Sequence, residues 1–293
     1  MENQLPAKPA LTEDRRWSAL GMAFGAFILV FFVWQFTDLN PILYPLRLLV
    51  TFVHETGHGL TAALTGGHFL RFVVYPNGSG VATTAGGSSF LVPQMGYLGA
   101  ALFGAVLLYA ANRVERVKIV AGALGVFFTG CALLYTEAGP IAMIGPVVAL
   151  GLWLVADFQA QQTPKGDSGG MRALRILAVL IILGTLVILS SNVALVIGLI
   201  AGATFFVLAA FASPPLTRFA LDALAFVTGF NVFSDLQFLV GNQSVGVYGT
   251  PNDALAMAVY THTPVTLWIV LWIVIAIVMM GAAIYFSFLR QRR

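Results

Sequence analysis

Charge is what this chain has least of. Only 9% of its 293 residues are Asp, Glu, Lys or Arg, against 59% hydrophobic, whereas soluble domains run near a quarter charged. That excludes a soluble globular protein. A single cysteine, Cys131, excludes an internal disulfide and a thiolate metal site, and its apolar surroundings make it a packing residue. Histidine is scarce, with four copies (His54, His58, His68 and His262), and glutamate has five. The basic surplus, 15 residues against 12 acidic, falls between apolar stretches. There it orients a chain against a membrane and is no argument for a nucleic-acid partner.

What is abundant is long apolar sequence. Stretches of about 20 residues, the length that crosses a bilayer as a helix, recur over nearly the whole chain. The fold class expected is an all-α, multi-pass membrane protein of roughly seven to nine apolar helices. Residues 17–36 read as a retained first helix, since no small-residue cleavage site follows. Further helices are expected at 45–64, 91–111, 119–135, 139–156, 216–240 and 265–289. The block at 176–211 is nicked at Ser190-Ser191-Asn192, so it is either two short spans or one long tilted one. A polar tail (1–16) precedes a single domain (17–289), and a basic tail (290–293) follows. The positive-inside rule puts the loops at 113–118 and 157–175, Arg218 and the C-terminus in the cytoplasm, as in a bacterial plasma membrane. The N-terminal tail then lands outside, against the rule.

Residues 68–89 break this pattern. His68 to Tyr75 is rich in aromatic and β-branched residues, Pro76-Asn77-Gly78-Ser79-Gly80 is a turn, and Val81-Ala82-Thr83-Thr84 is a return strand. A two-stranded hairpin cannot face lipid with open edges, so it must lie at the interface or against protein. An open edge there is able to pair with an extended peptide.

His54-Glu55-Thr56-Gly57-His58 forms an H-E-x-x-H motif inside an apolar helix. Residues four apart share a helix face, so both histidines reach one Zn²⁺, and Glu55 can take a proton from a water. With so few histidines, about one shuffled chain in a thousand would contain the motif, which favours a metal site over two satisfied core histidines. A catalytic zinc site needs a third protein ligand and one open position. Glu115 and Glu137 fall in connecting loops, which leaves His68, Asp222, Asp235, Asp253 and His262. Asp235 is favoured, because a lone carboxylate deep in an apolar helix is costly without a cation partner. Asn231, one turn earlier, is placed to donate a hydrogen bond to an oxyanion. Asp253, in Pro251-Asn252-Asp253-Ala254, reads as a helix N-cap with a lesser claim as ligand. Asp222 beside Arg218 reads as a surface residue, and His68 and His262 as interfacial ones.

The run from His54 to Leu60, followed by Thr65-Gly66-Gly67, Pro76 to Gly80 and Gly96-Tyr97-Leu98-Gly99, resembles the M50 metallopeptidases, in particular the M50B-like branch related to site-2 proteases. The blocks Phe230 to Asp235, Asn252 to Ala256 and Leu267-Trp268 fit the same branch, so the resemblance spans roughly residues 45–280. It implies one Zn²⁺ per chain and an intramembrane endopeptidase, of the regulated-intramembrane-proteolysis kind, acting on a membrane protein substrate that enters from the lipid bilayer. In site-2 proteases the third ligand is the Asp of an Asp-Gly pair. Here Leu236 follows Asp235, a departure from that pattern. Two other readings keep the metal: a non-proteolytic membrane protein with a retained zinc site, and a membrane zinc hydrolase of lipid or amide substrates.

Overall fold

The computed structural model describes residues 17–18, 20–28, 40–137, 140–162, 169–188, 192–241 and 252–290. The expected first span is described only as far as residue 28, where it is helical. The motif helix, α1 (Asn40–Leu64), starts five residues before the expected boundary, with Pro45 inside it. Pro45 sits so near the start that its missing N–H removes only the bond back to residue 41. The helix ends where Gly66 turns left-handed at φ 86°, and the N–H of Gly67 returns to the carbonyl of Ala62 at 2.8 Å. That closure satisfies carbonyls the helix leaves open and needs glycine at its turn.

The chain then forms the expected hairpin, β1 (His68–Val74) and β2 (Gly80–Ala85), paired antiparallel. The register breaks between Phe69 and Arg71, and this bulge turns both Phe69 and Phe72 inward, where strict alternation would have divided them. Phe72 packs edge-on against Phe52 of α1 at 4.8 Å, and Phe69 stacks on Tyr135 at 4.0 Å. The hairpin is therefore built into the protein, as the membrane requires. After a short 3₁₀ turn at Val92–Met95, helices α2 (Tyr97–Arg113), α3 (Val117–Tyr135), α4 (Pro140–Gln162), α5 (Gly169–Ile188), α6 (Val193–Phe211) and α7 (Pro214–Gly241) follow. The block nicked at 190–192 is two helices: Asn192 caps α6, its side chain accepting from the Leu195 N–H at 3.0 Å.

A short helix and a long one close the described chain. Helix α8 (Asp253–Thr261) precedes α9 (Val265–Ile284), which continues as a π turn at Tyr285–Leu289. Among the described residues α3, α6, and α9 with its π turn are long and apolar enough to cross a membrane, so this is a mostly α-helical, multi-pass membrane protein. One core joins α1, the hairpin, α2, α3, α6 and α7 through Phe52, Phe72, Leu108, Phe128, Leu195 and Leu221. A smaller one joins α2, α8 and α9 through Leu98, Met257, Trp268 and Trp272. Small residues allow the tight helix contacts: a side chain at Gly104 would strike the backbone of Ala225 and Gly229, so α2 and α7 meet nearly backbone to backbone.

Candidate metal centre

His54 and His58 occupy adjacent turns of α1 with their rings 4.8 Å apart. The Nε2 atoms stand 3.1 Å apart, and the Oδ2 of Asp253 lies 3.1 Å from the first and 3.3 Å from the second. Three donor atoms thus form a nearly equilateral triangle, contributed by two helices that meet only in the folded chain. A tetrahedron with bonds of about 2.0–2.1 Å to N and O has an edge of roughly 3.3–3.4 Å. The observed triangle is within a few tenths of an ångström of one face of such a tetrahedron. The donor set, two imidazoles and a carboxylate, is also that of known catalytic zinc sites. The residues present therefore fit a zinc ion.

Each donor is held from behind. The Nδ1–H of His58 donates to the Val92 carbonyl of the 3₁₀ turn at 2.7 Å. This orients the ring with Nε2 aimed at the triangle, as outer hydrogen bonds do for most metal-bound histidines. The ring of Tyr97 packs edge-on to His54 at 4.6 Å and stacks on Trp272 at 5.4 Å. Trp272 donates from Nε1 to the Gln94 side chain at 3.3 Å, and Gln94 donates to the Phe90 carbonyl at 2.8 Å. The small core thereby braces both the turn that orients His58 and the helix that brings Asp253. Backbone must come very close here: a Cβ on Gly57 would overlap the Met95 carbonyl, and one on Gly96 would overlap the Nε2 atoms of both histidines.

Asp253 is not the cap of α8. Asn252 takes that role, its side chain accepting from the Leu255 N–H at 2.8 Å, so Asp253 stands in the first turn, free to face the histidines. Helix α8 has nine residues, too few to span a bilayer. Burial penalises the Asp253 carboxylate, and the contact of its Oδ2 with both imidazoles offsets that cost. Glu55 is buried under β2, where the backbone of Ala82 hydrogen-bonds its carboxylate and a Cβ on Gly80 would come within 2.6 Å of Oε1. Strand β2 therefore runs directly over the Glu55 face of α1.

The other sequence candidates lie elsewhere. The side chains of Asn231 and Asp235, in the last turns of α7, fall outside the described residues. His68 and His262 are exposed, and Glu137 pairs with Arg71 at the surface. Asp222, expected at the surface, is fully buried between helices, where Asn112 of α2 donates to it at 2.7 Å and offsets part of the cost. Sequence reasoning missed the roles of Val92, Gln94, Gly96 and Tyr97. Of these, only the Gly96-Tyr97 pair carries a signal, a glycine and an aromatic opening a helix.

An H-E-x-x-H helix that meets a distant carboxylate, inside an apolar helical protein, is the arrangement expected of a membrane-embedded metallohydrolase. The chain belongs to the Peptidase M50B-like family, which it matches over residues 22–166 and 165–283, and is therefore a membrane metallopeptidase of the zinc-dependent kind. No curated protein and no solved structure matches it.

Proposed function

We propose that this protein is an intramembrane zinc endopeptidase that hydrolyses a peptide bond of a membrane-embedded substrate, with His54, His58 and Asp253 as the metal ligands and Glu55 as general base and acid. The observation that carries the reading is the triangle of donor atoms at 3.1 to 3.3 Å, with Glu55 buried beside it. Asp253 takes the place the sequence assigned to Asp235, because its oxygen meets both imidazoles. One zinc per chain, held there, supplies a Lewis acid and makes a water acidic near neutral pH.

The chain's own residues do the rest. Glu55 removes a proton from the attacking water and passes it to the leaving amine, one group serving both halves of the hydrolysis. With Nδ1–H of His58 committed to the Val92 carbonyl, Nε2 is the atom left to bind the metal. The outer edge of β2 is unpaired among the described residues. It offers main-chain hydrogen bonds to a substrate segment that has left its helix and become extended. Substrate enters from the bilayer between helices.

The test uses detergent-purified protein reconstituted with a panel of tagged single-span helices. Wild type binds about one zinc and cuts a subset, whereas Glu55→Gln keeps the zinc and loses cleavage by about 10²- to 10⁴-fold. Full cleavage by Glu55→Gln overturns the mechanism, and lipid or amide hydrolysis with no peptide cut overturns the substrate class.

A further inference from the structure

Arg47 is a cation on the working face of α1. It lies eight residues before Glu55 with Thr51 midway, so Arg47, Thr51 and Glu55 share one face at successive four-residue steps. It is exposed, and among the described residues no carboxylate pairs with it. The hairpin follows the same face in the same direction. A Cβ on Gly78 would lie 3.4 Å from Arg47 Nη2, and one on Gly80 would lie 2.8 Å from Thr51 Cγ2 and 2.6 Å from Glu55 Oε1. Thr51 ties the two layers together by donating to the Gly78 carbonyl at 2.7 Å, and Tyr44 does so by donating to the Pro76 carbonyl at 2.7 Å. The guanidinium therefore lies beside the hairpin turn, at the start of the free edge of β2.

An arginine in an apolar helix is costly, and a bare membrane anchor would serve as well on any face of α1. This one stands on the face that carries the general base and is covered by the strand whose outer edge is open. A segment adding antiparallel to β2, the more stable pairing, runs from the Ala85 end toward Gly80 and then past Arg47. Gly78 and Gly80 are two residues apart, which sets the near limit of the separation from the scissile bond. The far limit comes from the helix: eight residues rise about 12 Å, which an extended strand covers in about four residues.

We infer that Arg47 is a specificity-determining residue that binds an acidic side chain of the substrate, two to four residues C-terminal to the bond cut. The inference rests on the peptidase reading above and names the substrate class it prefers: membrane helices with Glu or Asp just beyond the cleavage point. The planar guanidinium takes a carboxylate through two parallel hydrogen bonds, which lysine cannot reproduce.

The experiment uses the full chain, zinc-loaded, in phosphatidylcholine vesicles, with tagged single-span helices bearing Glu, Gln or Lys at each juxtamembrane position. Cut sites are mapped by mass spectrometry. Wild type is expected to cut helices with Glu two to four residues C-terminal to the cut, and exchanging that Glu for Gln to lower kcat/KM about ten- to a hundredfold, chiefly through KM. Arg47→Glu loses the Glu substrate and gains the Lys one, a reversal that a structural role does not produce. Arg47→Lys keeps a cation at the membrane edge, so its zinc content and partial preference separate folding from recognition. Equal losses on Glu and Gln helices mark Arg47 as a membrane anchor and overturn the inference alone. No cleavage of any helix by zinc-loaded wild type, with no helix bound by Glu55→Gln, overturns the peptidase reading and this inference with it.

Discussion

His54 and His58 come from adjacent turns of a 25-residue helix whose face is buried in the larger core, while Asp253 comes from 199 residues beyond His54, on a nine-residue helix held by a few aromatic side chains. The first half of the centre is secured by local geometry: once α1 is helical, the two imidazoles share a face. The second half depends entirely on tertiary packing, through Trp268, Trp272 and Met257 against Leu98 and Ala101. On the proposed ligand set, the centre is rigid on one side and conditional on the other, and the packing of the arm carrying Asp253 would set the affinity.

The largest expected effect comes from removing the conditional donor. Asp253→Ala is expected to lose bound zinc by elemental analysis and all cleavage with it, while Asp235→Ala keeps its zinc. The reverse result would move the third ligand to α7. Next is the approach of turn to helix: Gly96→Ala drives a methyl group into both imidazoles and is expected to weaken zinc binding about ten- to a hundredfold in a chelator competition, with helix content by circular dichroism unchanged. A fold that collapses instead would mean Gly96 serves the core and not the centre.

Smaller effects probe the arm itself. Trp272→Ala is expected to destabilise the small core by about 3–5 kcal/mol. Zinc release on heating should then precede the loss of the larger core; simultaneous loss would show that the two cores melt as one. Trp272→Phe keeps the ring and removes the bond to Gln94, for about 1 kcal/mol. The smallest effect is that of Asn252→Ala, which removes the cap of α8 at about 1 kcal/mol and so weakens zinc binding about fivefold, without changing the cut sites.

This division also explains what was legible in the sequence. The H-E-x-x-H helix, its glycine stop and the hairpin each depend on neighbours a few residues away, and each was readable from spacing and turn residues. Only the Phe69–Arg71 bulge was not, since a one-residue slip leaves no mark in an aromatic run. The proposed third donor was harder. Pro251-Asn252-Asp253 presents two adjacent residues that both cap helices well, and nothing local says that Asn252 does so and releases Asp253. Asp222 was misread for a related reason: its partner Asn112 is 110 residues away, and an Arg one turn earlier mimics a surface pair. The side-chain bonds behind the histidines run through backbone carbonyls, which every residue has and no sequence pattern distinguishes.

The long gap between the second and third donors has a consequence in time as well as in space. Chains fold from the N-terminus as they are made, and a growing chain that has passed α1 through α7 holds both imidazoles and the base but no Asp253. With Asp253 as the third ligand, as proposed, such a chain would have a two-point site too weak to hold zinc in a fixed geometry. Hydrolytic competence would then arrive only when the last arm docks, and a half-built molecule would be unable to cut its neighbours.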